Sequence, residues 1–248
     1  MAAPLYDRIG WGYGRVRRTE PRIAAAIEQA LGDARTVLNV GAGTGSYEPA
    51  GREVLAIEPS AAMRAGRSPS AAPCLAAEAE ELPLADASVD VAMAIYSDMH
   101  WRHRDKGIAE MVRVSRRGVV LLTVDRDVAR RYWLTRDYVP GADDLFAPLS
   151  SVTSLLPGAR VTEVPIPADC VDGFAHAFWK RPHALLDPRA RATMSMFARL
   201  PSLVVESGLA RLRSDLGSGE WQRRNRAILE VDSLDLGHRL VAWEHGDR

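Results

Sequence analysis

Gly41, Gly43 and Gly45 alternate with Ala42 and Thr44 behind an apolar run, "TVLNV" (36–40), and an acid, Glu58, closes the next run, "EVLAIE" (53–58). Alternating glycines permit a tight strand-to-helix turn and let a ligand approach the backbone closely. A carboxylate at the end of the neighbouring strand can accept two hydrogen bonds from a ribose diol. The pair describes a ligand with a sugar and flexible polar arms. Three chemistries compete for it: a nucleoside triphosphate, a dinucleotide and a sulfonium nucleoside. The triphosphate loop needs GxxxxGK[ST], and no lysine follows these glycines. The dinucleotide fingerprint ends in Gly or Ala where this chain has Ser46.

A third stretch, "AEAEELPLADASVDVAMAIYSDMHW" (77–101), joins an acidic run, Leu-Pro and an Asp-containing turn to a strand pattern ending in Ser-Asp-Met-His-Trp. With it the chain resembles the class I S-adenosylmethionine-dependent methyltransferases, in particular their small-molecule type 11 group. "VLNVGAGTG" matches the family's first motif, "AIEPSAAM" its second and "AEELPLADASVDVAMA" its third. "HWRHRDKGIAEMVRVSRRGVVLLTVD" matches the stretch through its fifth strand, so the resemblance covers about residues 35–125. It implies a Rossmann-like α/β fold with a mostly parallel seven-stranded sheet, helices on both faces, and S-adenosyl-L-methionine as cofactor.

The resemblance also implies roles, position by position. Gly41, Ala42 and Gly43 present backbone to the methionine part and ribose, and Glu58 holds the ribose hydroxyls. Pro59 and Met63 pack the adenine, Glu78 accepts from its amino group, and the Ala79 amide donates to its ring. Tyr13 or Arg18 closes over the methionine end. Two positions depart from the family. Asn39 stands where an acid usually engages the amino-acid part, keeping hydrogen bonding without the charge. Met99 replaces the first of a His-His pair, leaving His100.

A sulfonium methyl is already activated, so a methyltransferase mainly aligns the nucleophile and excludes water. A base is needed only where the nucleophile must lose a proton. His100 follows a strand at the ligand edge and has an ordinary pKa near neutrality, which makes it the candidate base. Tyr96 and Trp101 flank it as candidate acceptor contacts. "DGFAHAFWKRPHALLDP" (172–188) adds Phe178 and Trp179, beside Phe174, His176, Lys180, Arg181 and His183. Aromatics with a few cations suit a small-molecule acceptor that is amphipathic or anionic. Arg126, Arg130 and Arg131 are further candidates for an anion.

These residues need a scaffold. "EPRIAAAIEQALG" (20–32) reads as a helix with Pro21 in its first turn, Ile23, Ile27 and Leu31 on one face, and Gly32 as its stop. Strands are expected at 36–40, 53–58, 89–96, 118–125, 159–167 and 236–244. One helix begins near Ser60, and another, capped by Asp105, carries Ile108, Met111 and Val112. Strands alternating with helices argue for a parallel sheet covered on both faces. Residues 168–232 lack strand alternation and read as a helical insertion, including "RARATMSMFARL" and "LARLRSDL". A connection that long is usually functional. The expected division is therefore a cofactor domain, 1–167 plus 233–248, with 168–232 as a substrate lid.

The 248 residues are 47% hydrophobic with zero formal net charge, which points to neither nucleic acid nor an anionic membrane as partner. Lys106 and Lys180 are the only lysines among 32 basic residues, a bias that fits a GC-rich genome and discounts arginine clusters. Cys74 and Cys170 lie far apart with no ligand-spaced histidine, so neither a disulfide framework nor a metal site is expected. No apolar leader and no long apolar run are present, so a cytoplasmic location is expected. The favoured reading is methyl transfer to a small molecule, in secondary metabolism. An NAD-dependent oxidoreductase and a non-catalytic S-adenosylmethionine-binding protein are the alternatives.

Overall fold

Runs of β-branched and apolar residues lay down the sheet that carries the glycine turn. The computed structural model describes residues 6–7 and 13–246. Strands β1 (Thr36–Val40), β2 (Glu53–Ile57), β3 (Cys74–Leu75), β4 (Val89–Ile95) and β5 (Ser115–Val124) pair in parallel. They are followed by β6 (Arg160–Glu163), β7 (Ile166–Pro167), β8 (Ser233–Leu234) and β9 (His238–Glu244). The main sheet has seven strands in the order β3-β2-β1-β4-β5-β9-β6, with β9 antiparallel to both neighbours. β7 and β8 form a separate two-stranded ribbon.

Helices α1 (Tyr13–Val16), α2 (Pro21–Leu31), α3 (Ala61–Ala65), α4 (Arg104–Val114), α5 (Arg126–Ala129) and α6 (Leu149–Thr153) precede the ribbon. Within it lie α7 (Pro188–Arg191), α8 (Ser195–Arg199), α9 (Ser202–Ser218), α10 (Glu220–Arg224) and α11 (Arg226–Leu229). The chain leaves at Pro167 and returns at Ser233, and the Ala168 amide donates to the Asp232 carbonyl at the neck. So 168–232 is an excursion between two paired strands, but its packing is shared with the sheet. Trp179, Leu212 and Trp221 join Val37, Met93 and Leu122 of one sheet face, together with Ile23 and Ile27 of α2, in one core. The other face, Leu38, Val40 and Ala92, packs on Ile108 and Met111 of α4.

Several boundaries moved for local reasons. α2 begins at Pro21, and Glu20 caps it by accepting from the Arg22 amide at 3.2 Å. Asp105 lies in the first turn of α4 and does not cap it; the helix starts at Arg104. The strand expected at 159–167 is two strands. Val164 still donates to the His238 carbonyl, but Pro165 has no amide, and the chain passes from the sheet to the ribbon there. β9 starts at His238, after Gly237 with φ +88°. "RARATMSMFARL" forms two short helices, α7 and α8. Among the described residues no helix is long and apolar enough to cross a membrane.

Candidate active site

The ends of β1, β2 and β4 converge on a cavity of about 330 Å³. The glycine turn is its floor. The Gly41 and Ala42 amides both donate to the Ile57 carbonyl, at 2.8 and 2.9 Å, tying the turn to β2. Gly41 has φ +72°, and a Cβ there would stand 2.5 Å from the Cβ of Ser97. Only glycine satisfies both the backbone and that approach.

Glu58 follows β2 directly and is 6% exposed. Its Oε2 accepts from the Gly43 amide and its Oε1 from the Ser60 amide, each at 2.8 Å. The carboxylate thereby fixes the turn and the start of α3, and each oxygen keeps lone pairs for a ligand. Burial pushes its pKa above the ordinary carboxylate value, against those two amides. Pro59 and Met63 lie on the same wall, and Glu78 and Ala79 on the next. Tyr13 and the Gly41–Gly43 segment line it too.

Asn39 does not. It is 2% exposed and lies in β1, with the strand alternation placing it on the Val37 side of the sheet. Its Nδ2 has no hydrogen-bond partner among the described residues. Arg18 is exposed and off the cavity wall; Arg17 takes that place. The Arg17 guanidinium is paired with buried Asp172, Nε to Oδ1 at 2.6 Å and Nη2 to Oδ2 at 3.0 Å. Asp172 also accepts from the Tyr47 hydroxyl at 2.8 Å.

A second, smaller chamber of about 70 Å³ adjoins the first. Tyr6, Arg17, Tyr96 and His100 line both, so they mark the junction. The rest of the chamber is mostly apolar, with Met99, Phe146, Phe174, Met194 and Met196 among its walls. Trp101 lines the larger cavity. Phe178 and Trp179 line neither. Trp179 is fully buried in the core with its indole donating to the Ile166 carbonyl at 3.0 Å, and Phe178 carries the Arg181 guanidinium over its ring. Arg126, Arg130 and Arg131 line neither cavity.

His100 ends a 3-10 turn, Asp98–His100. Its Nε2 is 3.0 Å from the Tyr6 hydroxyl, and its Nδ1 is 3.3 Å from Nη2 of Arg199. A guanidinium only donates, so the network assigns the lone pair to Nδ1 and the proton to Nε2. Burial, then the Arg199 and Arg17 cations, hold its pKa down to about 3. His100 is thus a neutral ring of low basicity whose acceptor nitrogen is already occupied.

Two groups reach the junction that the motifs do not announce. His238 opens β9, and its Nδ1 is 2.7 Å from the Tyr96 hydroxyl. Its Nε2 is 2.8 Å from Nδ1 of His176, and both rings border the smaller chamber. Tyr96 itself holds φ +55°, a left-handed backbone rare for a bulky residue, at the end of β4. His176 stood in the aromatic run noted above; a lone histidine opening an apolar strand gave no signal for His238.

Residues 38–123 match the family model described as a methyltransferase domain. The chain is 35% identical to a solved protein of Anabaena variabilis described as a methyltransferase from an antibiotic biosynthesis pathway, over 91% of this chain and 98% of that one, with a TM-score of 0.84. A second similar structure, an S-adenosylmethionine-dependent methyltransferase of Thermotoga maritima, is 22% identical over 65% of this chain and 84% of that one, with a TM-score of 0.54, and shares the fold. No curated protein matches the chain.

Proposed function

The chain belongs to the class I S-adenosylmethionine-dependent methyltransferases, and on that footing we propose that it methylates a small, uncharged, amphipathic acceptor in secondary metabolism. S-adenosylmethionine is the cofactor, and the nicotinamide alternative falls away with the family. The residues fit the adenosyl sulfonium: the glycine floor leaves no Cβ in its way, and Glu58 has lone pairs to spare on the wall above. Bound there, the cofactor supplies a methyl group that needs no further activation.

The chain's own residues do the rest. Glu58 accepts from the ribose hydroxyls while still holding the turn. Pro59, Met63 and Ala79 flank the base, with Glu78 at the edge. Tyr13 and Arg17, not Arg18, stand over the amino-acid end. Asn39, buried in β1 and off the cavity wall, takes no part in holding the cofactor. Tyr6, Tyr96 and His100 form the gate between the cofactor cavity and the acceptor chamber. His100 orients there and does not take a proton, because its lone pair faces Arg199. The excursion 168–232 supplies Phe174, His176, Met194 and Met196, so it serves as the acceptor's cover.

The apolar chamber beyond that gate carries this reading. Among the described residues that line it, the one guanidinium, Arg17, is paired with Asp172, and burial keeps the histidines neutral. An anionic acceptor would lose its hydration there without gaining a counter-ion. The Anabaena relative's pathway supports a secondary-metabolic acceptor. The test is methyl-labelled S-adenosylmethionine with a mixed panel of neutral and phosphorylated small molecules. Label should appear in neutral, organic-extractable products. Label confined to phosphorylated or carboxylated compounds would refute the proposal.

A further inference from the structure

We propose that Tyr96, His238 and His176 form a proton relay that takes the proton of the acceptor's hydroxyl, which makes the substrate class a phenolic or enolic O–H. The inference rests on the methyltransferase reading of the same site. Its geometry is a continuous chain, Tyr96 Oη to His238 Nδ1 at 2.7 Å and His238 Nε2 to His176 Nδ1 at 2.8 Å. Tyr96 lies on the wall of both cavities, where an acceptor must meet the methyl group.

One choice sets every proton in the chain. A phenol is a good donor and a neutral imidazole nitrogen a good acceptor, so Tyr96 donates to Nδ1 of His238. A neutral imidazole carries one proton, so His238 bears it on Nε2 and donates to Nδ1 of His176. His176 then bears its own proton on its Nε2. Burial keeps both rings neutral, His176 down to about 4 and His238 well below the ordinary histidine value. The Tyr96 oxygen retains lone pairs that can accept an incoming O–H. Among the described residues no other gate residue pairs a free acceptor with a way out for a proton. His100 spends its lone pair on Arg199, Tyr6 faces His100, and Arg17 cannot deprotonate.

The step balances. The acceptor oxygen forms the new O–C bond as the C–S bond breaks and leaves its electron pair on sulfur. The hydroxyl proton passes to Tyr96, the Tyr96 proton to Nδ1 of His238, and the Nε2 proton of His238 to Nδ1 of His176. The positive charge that leaves sulfur ends on His176; on product release each proton steps back one place along the chain and Tyr96 passes its surplus proton to water entering the chamber, which restores the starting tautomers. The left-handed backbone at Tyr96 holds the ring at this junction, and such outliers persist where function requires them. Tyr96 is the catalytic residue of the relay; His238 and His176 act through it.

Two measurements on the full chain test this. The first is 15N NMR of histidine-labelled protein with S-adenosylhomocysteine bound. His238 and His176 should both be neutral with the proton on Nε2, and Tyr96→Phe should shift the Nδ1 resonance of His238. A proton on Nδ1 of His238 would overturn the relay. The second is methylation of phenols and naphthols of graded acidity. Tyr96→Phe should lose about 100-fold or more with phenol, the scale of general base catalysis. With 3-chlorophenol, more acidic but still neutral at pH 7, the loss should be several-fold smaller. Equal losses on both would overturn the proposal, as would no turnover of any hydroxyl acceptor by protein that binds S-adenosylhomocysteine. Absence of that binding would instead strike the underlying reading.

Discussion

Three histidines, His100, His176 and His238, border the junction uncharged. An unfolded histidine takes a proton near pH 6.5. Folded, His100 resists protonation to about 3 and His176 to about 4. Between these limits the unfolded chain binds more protons, so stability is complete above about pH 6.5 and falls as pH drops. Each ring contributes up to about 1.4 kcal/mol per pH unit in that window. Urea unfolding at pH 7 and pH 5 should show the loss, and His176→Gln should shrink it by one ring's share. An unchanged slope in that variant would mean that His176 is charged in the folded protein. His100 differs from the other two in that its lone pair is turned to the Arg199 guanidinium, which argues against the base role the sequence pointed to. Its position after β4 was legible, but its partner Arg199, almost a hundred residues further on, was not.

At the scale of elements, the N-terminal segment is fastened to the start of the excursion by Arg17 and Asp172, whose side chains are 11% and 0% exposed. Removing one partner of a buried pair strands the other charge at a cost of about 3–5 kcal/mol, whereas replacing both by apolar groups is often neutral. Asp172→Ala should therefore lower the melting temperature sharply, and Arg17→Met with Asp172→Leu should recover part of it, the Tyr47 hydroxyl still lacking its acceptor. If the double variant is no better than the single one, the pair does not act as argued. Most elements were legible because their signals are local: Pro21 and Gly32 around α2, or the apolar runs of β1, β2 and β4. The split of β6 from β7 hinged on Pro165, which a nine-residue strand reading overlooked. The edge strands β3 and β8 span two residues each, too few to show alternation. The fastening of Arg17 was hidden because its partner comes from across the fold; Arg18, its neighbour, carries the same charge on the exposed side.

Over the whole molecule, the parallel strands bring the glycine turn, Glu58 and the Tyr96–His100 segment to one edge, while the excursion and β9 add the far wall of the smaller chamber. The lining of the larger cavity was legible in large part because its residues belong to contiguous motifs: Gly41 to Gly43, Glu58 to Met63, Glu78 and Ala79. The smaller chamber was legible only in part: Tyr96, Phe174 and His176 stood in marked runs, but Tyr6, Met196 and His238 join them only through tertiary packing. Trp179 shows the converse, an aromatic in a promising run that the core claims. The central claim is that Glu58 grips the ribose of S-adenosylmethionine, and titration calorimetry with that compound on the parent and on Glu58→Gln tests it most directly. The parent should bind one molecule per chain and lose affinity on acidification, as the raised pKa of Glu58 requires. Glu58→Gln should bind more weakly by about 1.5–3 kcal/mol, the worth of hydrogen bonds to a charged group. Equal affinity for the two proteins, or no binding by the parent, would contradict it.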